Sequence, residues 1–431
     1  MNGIVKRSIK IASRIGEKTK EYFVPIIVRR NYNNVLCNLR EKAKRGEKLK
    51  VIFYTNEPQK WSYESVYREF ERSPFFDPCI IVVPRYRVHI GDDKTRMSLE
   101  EQYLFYKSRN YNVEYGYIDG QYIDIKSFHP DIFFYLQLAE IPGIDNPEII
   151  SRYALTAYCP YAFQLSNYKK EYLQNFHKLL FVYYVVHDLT IKRFESYKKG
   201  NSSNCISTGY PKLDVYHNRS ICDIQLSNYW KDPQKIKIIY APHHSFRKVK
   251  SNTFQFGTFP KNYQLILDLA KKTSDITTWI FKPHPMLRSV IVKERIMSEE
   301  ETKKYYDEWA KIGNLYDTGD YFDIFISSDI MITDCASFLA EYLPSHKPLI
   351  RLINPKCIEF DEVGQRLSKC YYNAHNNEEL LSLFKSIVLN KEDYLKNQRI
   401  KLANTLVNPN VSASHIIINN ILNRLHLTTH H

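Results

Sequence analysis

Glycine is scarce in this chain, 13 among 431 residues, and none falls into a G-x-G-x-x-G or G-x-x-x-x-G-K-S/T run. Two common ways of cradling a phosphate on a glycine loop are therefore excluded, and the missing G-x-S-x-G elbow removes a hydrolase-type serine nucleophile. Cysteine occurs eight times but scattered (Cys37, Cys79, Cys159, Cys205, Cys222, Cys335, Cys357, Cys370), with no C-x-x-C pair and no histidine cluster at metal spacing. Neither a zinc module nor a disulfide framework is indicated, and reduced thiols fit a cytosolic setting. Long hydrophobic runs are missing from the N-terminal segment: its longest, FVPIIV from Phe23 to Val28, has six residues, where a bilayer span needs about 20. Charges interrupt every stretch that would serve as the core of a secretory signal. No internal repeat or low-complexity tract stands out, and the length allows two or three domains.

What is abundant is positive charge, and it is local. Of the formal net +14, a surplus of ten sits in residues 1–50, where fourteen Lys and Arg face four Glu. The remainder is only mildly basic, which argues against nucleic acid as a partner. On a wheel of about 100° per residue, Ile4, Val5, Ile9, Ile11, Ala12, Ile15, Tyr22 and Phe23 fall on one arc with Lys and Arg opposite. The segment 1–48 is expected to be an amphipathic basic helix on an anionic membrane surface, with residues 4–50 in contact and the Arg40–Lys50 cluster reinforcing it. The plain alternative is a helix packed on its own domain with a solvated basic face.

From Lys50 onward short apolar runs alternate with helical stretches. LKVIFYT, PCIIVVP, YNVEYGYI, PDIFFYLQ and LLFVYYVV read as strands, with helices over Tyr63–Arg72 and Leu99–Arg109. A polar stretch, Lys198 to Asp214, closes this first α/β domain, placed at 49–205. The second domain, 206–431, repeats the pattern: KIKIIYAPHH, a helix Tyr263–Lys272, TTWIFKPHP, one long charged helical segment to Lys311, GNLYDTG, a short helix, DIMITDCAS, a helix Phe338–Leu343, KPLIRLI, and helices to the end. Such alternation predicts open, largely parallel sheets, and in these the ligand lies beyond the carboxyl ends of the strands.

Four successive strands of the second half end in polar or ionisable groups: His243 and His244; Lys282 and His284; Asp317, Thr318 and Gly319; Thr333, Asp334 and Ser337. Prolines flank His284 and fix the backbone around it, so its imidazole is aimed before any ligand arrives. Histidine exchanges a proton near neutral pH and Lys282 favours oxyanions. Thr333, Asp334 and Ser337 stand where a strand gives way to a helix, with N–H groups suited to phosphate; helix capping is the plain alternative. Glu341 follows Ser337 by one turn and suits ribose hydroxyls. No metal site is expected; no carboxylate cluster requires Mg2+, which stays open as a cofactor.

At YAPHH, FKPHP, YDTGDYFDIFISSDIMITDCASFLAEYL and TGYPKLDVY the sequence resembles the CDP-glycerol glycerophosphotransferase family, which builds teichoic-acid-like and capsular polyol-phosphate polymers in bacteria. The resemblance spans about Thr208 to Ile353 and is weaker in the first half, at KWSYESVYREFERSPFFDPCIIVVP, PDIFFYLQ and YCPYAF. It implies an α/β fold of two Rossmann-like domains facing a cleft, of glycosyltransferase-B type, with a CDP-linked donor on the second domain and a membrane-linked acceptor on the first. The family's Arg-x-His-Pro segment corresponds to Lys282–Pro285, which implies that His284 meets the donor pyrophosphate or takes part in catalysis. Its Thr-Asp-Tyr-Ser-Ser segment corresponds to Thr333–Ser337, with Cys335 and Ala336 in place of the tyrosine and first serine. The family's His-Gly-Thr motif has no match; YCPYAFQ stands near its expected place, and Glu57 and Tyr161 are the acceptor-side candidates.

The expected activity is transfer of glycerol- or ribitol-phosphate from a CDP-activated donor to a hydroxyl of a surface glycan, at the cytoplasmic face of the cell membrane. His284, His244 and His243 are the catalytic candidates, with His244 or His243 as base. Lys282, Thr318, Gly319, Thr333, Asp334, Ser337 and Glu341 are the donor-binding candidates. A nucleotide-sugar glycosyltransferase and a non-catalytic membrane-docked scaffold are the competing readings.

Overall fold

The apolar runs of the first half form a seven-stranded parallel sheet in the computed structural model. The structure describes residues 2–84, 97–137, 142–168, 174–196, 202–246, 254–317, 320–408 and 410–427, with side chains from residue 23 on. The strands are β1 (Leu49–Thr55), β2 (Phe76–Val82), β3 (Val113–Tyr115), β4 (Ile132–Tyr135), β5 (Leu155–Tyr158), β6 (Val182–Val185) and β7 (Cys205–Ser207), in the spatial order β3-β2-β1-β4-β5-β6-β7. Its central strands are buried along nearly their whole length, as expected when helices cover both faces. On one face Phe53 stacks on Phe134 with centroids 5.0 Å apart, and Trp61, Tyr63, Tyr67 and Phe70 close around it.

Two helices distant in sequence complete that face. Helix Asn2–Lys44 buries Val28, Tyr32, Val35 and Leu39, at three- and four-residue steps, and helix Ala413–Leu425 buries Ile417, Ile418, Ile421, Leu422 and Leu425 in the same cluster. Arg40 donates through Nε and a terminal nitrogen to the Arg424 carbonyl, at 3.0 and 2.7 Å. Lys42 pairs with Asp131 at 2.6 Å and Lys50 with Asp77 at 3.1 Å. Arg40, Lys42 and Lys50 of the Arg40–Lys50 cluster thus bind within their own unit. The apolar arc over residues 4–22 lies outside the described side chains, while Phe23, Ile26 and Ile27 are exposed. No helix among the described residues is long and apolar enough to cross a membrane.

The second unit holds six parallel strands, β8 (Ile236–Ala241), β9 (Thr277–Phe281), β10 (Asn314–Leu315), β11 (Ile330–Thr333), β12 (Leu349–Leu352) and β13 (Tyr372–Ala374), ordered β10-β9-β8-β11-β12-β13. Trp279, Phe281, Tyr305 and Trp309 form its aromatic core. The charged segment before β10 is two helices, Leu287–Lys293 and Glu299–Ile312, and not one. Arg295 turns into the left-handed region at φ 55°, and Ser298 restarts the chain with a capping box to Glu301.

The two Rossmann-like units do not divide where composition placed the boundary. The first comprises Met1–Tyr161, Lys169–Pro211 and Ala413–His431; the second comprises Ala162–Tyr168 and Lys212–Ser412. A cut between 205 and 206 would split β7, which pairs with β6 through Tyr184 and Ile206. The range 206–431 also claims the last helix, whose apolar face is buried in the first unit. Residues 162–168 join the second unit through a bridge between Ser166 and Phe360 and an N–H bond from Asp361 to the Leu165 carbonyl at 2.8 Å.

Candidate active site

The site forms where β8, β9 and β11 end side by side. Parallel register aligns Tyr240 with Phe281 and Ala241 with Thr333, so the residues after each strand emerge at one level. The backbone continues the pairing beyond the strands: Lys282 N–H donates to the Tyr240 carbonyl at 2.8 Å, and His284 N–H to the Pro242 carbonyl at 3.0 Å. Three imidazoles are thereby gathered. Ring centroids are 4.4 Å apart for His243 and His244, 4.9 Å for His243 and His284, and 4.0 Å for His244 and His284.

Their hydrogen bonds determine what the rings offer. His284 Nδ1 accepts the Met286 N–H at 3.1 Å, and His243 Nδ1 accepts the Ser245 N–H at 3.2 Å with the Ser245 hydroxyl at 2.7 Å. A neutral ring that accepts at Nδ1 carries its proton on Nε2, so both present an N–H donor on that edge. Burial pushes His244 down to about 4; burial and then the neighbouring His244 hold His243 well below the usual imidazole range. Both are neutral at pH 7. One nitrogen from each of the three rings lies within 4.8 Å of the others, a spacing a metal ion can bridge. A metal-bound imidazole instead donates from its second nitrogen to an acceptor, the reverse of what His243 and His284 do. The donor edges suit an oxyanion better.

Asp334 braces this group from β11. Its carboxylate accepts the His243 N–H and the Thr258 N–H, each at 2.5 Å, and the Thr258 hydroxyl at 2.8 Å. Burial raises it to about 6 against these bonds. Thr333 donates to the Ala241 carbonyl at 2.6 Å and accepts the Cys335 N–H at 3.0 Å. Both residues position the strand ends. Ser337 stands in the first turn of the short helix Ala336–Glu341, with Oγ 3.4 Å from Cys335 Sγ, whose thiol burial raises to about 11. Cys335 is thus a protonated thiol at neutral pH.

Lys282 is the group with most to offer an anion. Its side chain is buried, and among the described residues no hydrogen bond or ion pair reaches its ammonium, which lies 4.7 Å from the Tyr321 ring centre and 5.5 Å from that of Phe338. Burial brings it down to about 8, opposed by Cys335, Glu341 and Asp317. Glu341 is buried and accepts the Tyr321 phenol. Thr318 and Gly319 lie outside the described residues. In the first unit, Glu57 pairs with Lys60 at 2.7 Å, and that ammonium lies 5.0 Å from the Tyr161 ring centre and donates to Gln137 Oε1 at 2.8 Å. Glu57 and Tyr161 therefore share Lys60 beyond the ends of β1 and β5.

Several contributors escape a sequence reading. Thr258 and Ser245 carry no signal before the loops fold back. Lys212, which donates to the Tyr321 hydroxyl at 3.4 Å, lies within TGYPKLD but had no partner to suggest its role.

The chain is similar to known proteins in sequence and in fold. The family model described as CDP-glycerol:poly(glycerophosphate) glycerophosphotransferase matches residues 165–405. A variant of the wall teichoic acid polymerase TagF is 14% identical, with 96% of this chain and 98% of that one covered at a TM-score of 0.59. The UDP-GlcNAc 2-epimerase of Neisseria meningitidis bound to UDP-GlcNAc is 14% identical, with 87% and 100% covered at a TM-score of 0.55. S. aureus MnaA with UDP is 14% identical, with 88% and 98% covered at 0.52. No curated protein matches the chain. At such identities the structural likeness speaks for the fold, whereas the family match covers more than half of the sequence. The chain belongs to the CDP-glycerol:poly(glycerophosphate) glycerophosphotransferase family of transferases.

Proposed function

We propose that this transferase moves a polyol-phosphate, glycerol- or ribitol-phosphate, from a CDP-linked donor to a hydroxyl of a teichoic-acid-like or capsular glycan. The second unit would hold the donor and the first the acceptor, at the inner face of the cell membrane. The observation that carries this reading is the convergence of three imidazoles and the buried Lys282 ammonium on adjoining strand ends. In such a transfer the acceptor oxygen forms a bond to the distal phosphorus while the bond from that phosphorus to the bridging oxygen breaks, and CMP leaves with the electron pair. Fixed donors that meet the developing charge lower the barrier without reorganising. His284 and His243, with protons on Nε2, fit that task, as do Lys282 and Ser337. His244 is the base that takes the acceptor proton. Its low basicity in the free protein rises when the anionic diphosphate of the donor is brought beside it.

A ligand panel tests the reading: CDP-glycerol, CDP-ribitol, UDP-sugars and CMP-sugars, followed by thermal unfolding, where a ligand at 100 times its Kd adds about 2.7 kcal/mol. Stabilisation by a CDP-polyol and a phosphodiester product support it. A glycosidic product with a nucleotide sugar would replace it with glycosyl transfer, and no response to any nucleotide would leave a scaffold.

A further inference from the structure

Lys282 is not the only cation beside Tyr321. The Lys212 ammonium lies 5.5 Å from the same ring centre and 3.4 Å from its hydroxyl. Two ammonium groups converge on one aromatic ring, and the Lys212 charge disfavours that of Lys282. The ring face attracts a cation without accepting its N–H bonds in the manner of a carboxylate. Lys282 in particular is nine-tenths buried and retains N–H donors with no acceptor among the described residues. The Glu341 carboxylate accepts a hydrogen bond from the Tyr321 hydroxyl. The N–H donors of Lys282 are thus left to an anion with several acceptor oxygens.

We propose that Lys212 and Lys282, ranged against the Tyr321 ring, form a two-ammonium subsite for a diphosphate, which carries more than one charge. Lys212 is then a binding residue, and Tyr321 a positioning residue that holds both cations while Glu341 fixes its hydroxyl. The inference rests on the donor-binding reading of the second unit and deepens it: the occupant is the diphosphate of the donor, and free pyrophosphate shares its chemistry.

Calorimetric titration of the full chain with inorganic pyrophosphate, and separately with a CDP-polyol, tests this in wild type, Lys212→Met, Tyr321→Phe and Tyr321→Leu. Lys212→Met keeps the stem and removes the charge; a loss of roughly 10- to 100-fold in pyrophosphate affinity is expected, the range for a hydrogen bond to a charged group. Tyr321→Phe, which keeps the ring, is expected to stay within about threefold, and Tyr321→Leu to lose as much as Lys212→Met. An equal loss for the CDP-polyol identifies the donor diphosphate as the occupant; a loss for pyrophosphate alone identifies the free anion. Unchanged pyrophosphate affinity in a Lys212→Met protein with native circular dichroism overturns the subsite, as does absence of pyrophosphate binding to wild type. Lys212-dependent pyrophosphate binding without a response to any CDP-polyol keeps the subsite and removes the donor reading.

Discussion

The N–H of His284 donates to the carbonyl of Pro242 at 3.0 Å, which sets its ring beside those of His243 and His244 after two separate strands have ended. Pro283 and Pro285 flank the residue, and Nδ1 is committed to the Met286 N–H. The ring proton then sits on Nε2, which presents it as a donor. His284→Ala should therefore lower turnover by roughly 10²–10³-fold, the loss typical of one preorganised oxyanion donor, with little change in melting temperature. His284→Gln retains an N–H at similar reach and should recover about tenfold of that loss. CMP release measures both, and a Gln variant as slow as the Ala variant would assign the ring a proton-accepting role instead.

Gly257 supports the same loop from behind. Its N–H donates to the Ser245 carbonyl at 3.2 Å, and its own carbonyl accepts Asn354 Nδ2 at 2.9 Å. A Cβ there would lie 2.7 Å from the His243 carbonyl oxygen and 3.0 Å from the Phe246 nitrogen, both backbone atoms that yield little. Gly257→Ala is expected to cost about 1–3 kcal/mol in urea unfolding and to weaken nucleotide binding. Gly143→Ala is the control, since a Cβ there meets nothing within 4 Å.

Strand ends are legible in sequence because a buried parallel strand is a short apolar run, and the chain turns abruptly polar just past Ala241, Phe281 and Thr333. That made the three histidines and Lys282 findable. The roles of Asp334 and Thr333 are not, because a carboxylate that braces a backbone and one that binds a ligand look alike until its partners, His243 and Thr258, are known. Helix periodicity finds the stretch Ala413–Leu425 but cannot say which core receives its apolar stripe. β5 is missed because Leu155–Tyr158 has only four residues amid other apolar sequence.

The return of the chain to the first unit has a stability consequence. Ile421 is 1% exposed and packs in a cluster with Val28, Val35 and the strands of the first sheet. Ile421→Ala should cost about 2–5 kcal/mol through lost burial and the cavity left behind. Leu389→Ala, at a position 39% exposed in the second unit, should cost far less. Urea unfolding followed by circular dichroism compares the two, and equal losses would mean that the last helix is not part of the first unit's core.

Lys282 makes the reaction sensitive to alkali. Its pKa is brought down to about 8 by burial, so the ammonium proposed to meet the donor is present below that pH and lost as pH rises through it. The pH dependence of kcat/KM reports the free enzyme, and an alkaline limb near pH 8 is expected there. A bound diphosphate stabilises the ammonium, so the corresponding limb in kcat should lie at higher pH. Lys282→Arg keeps the charge throughout this range and should remove the limb up to pH 9.5, although the larger guanidinium lowers the maximum. An identical limb in the Arg variant would show that another group titrates, because no Arg deprotonates in that range.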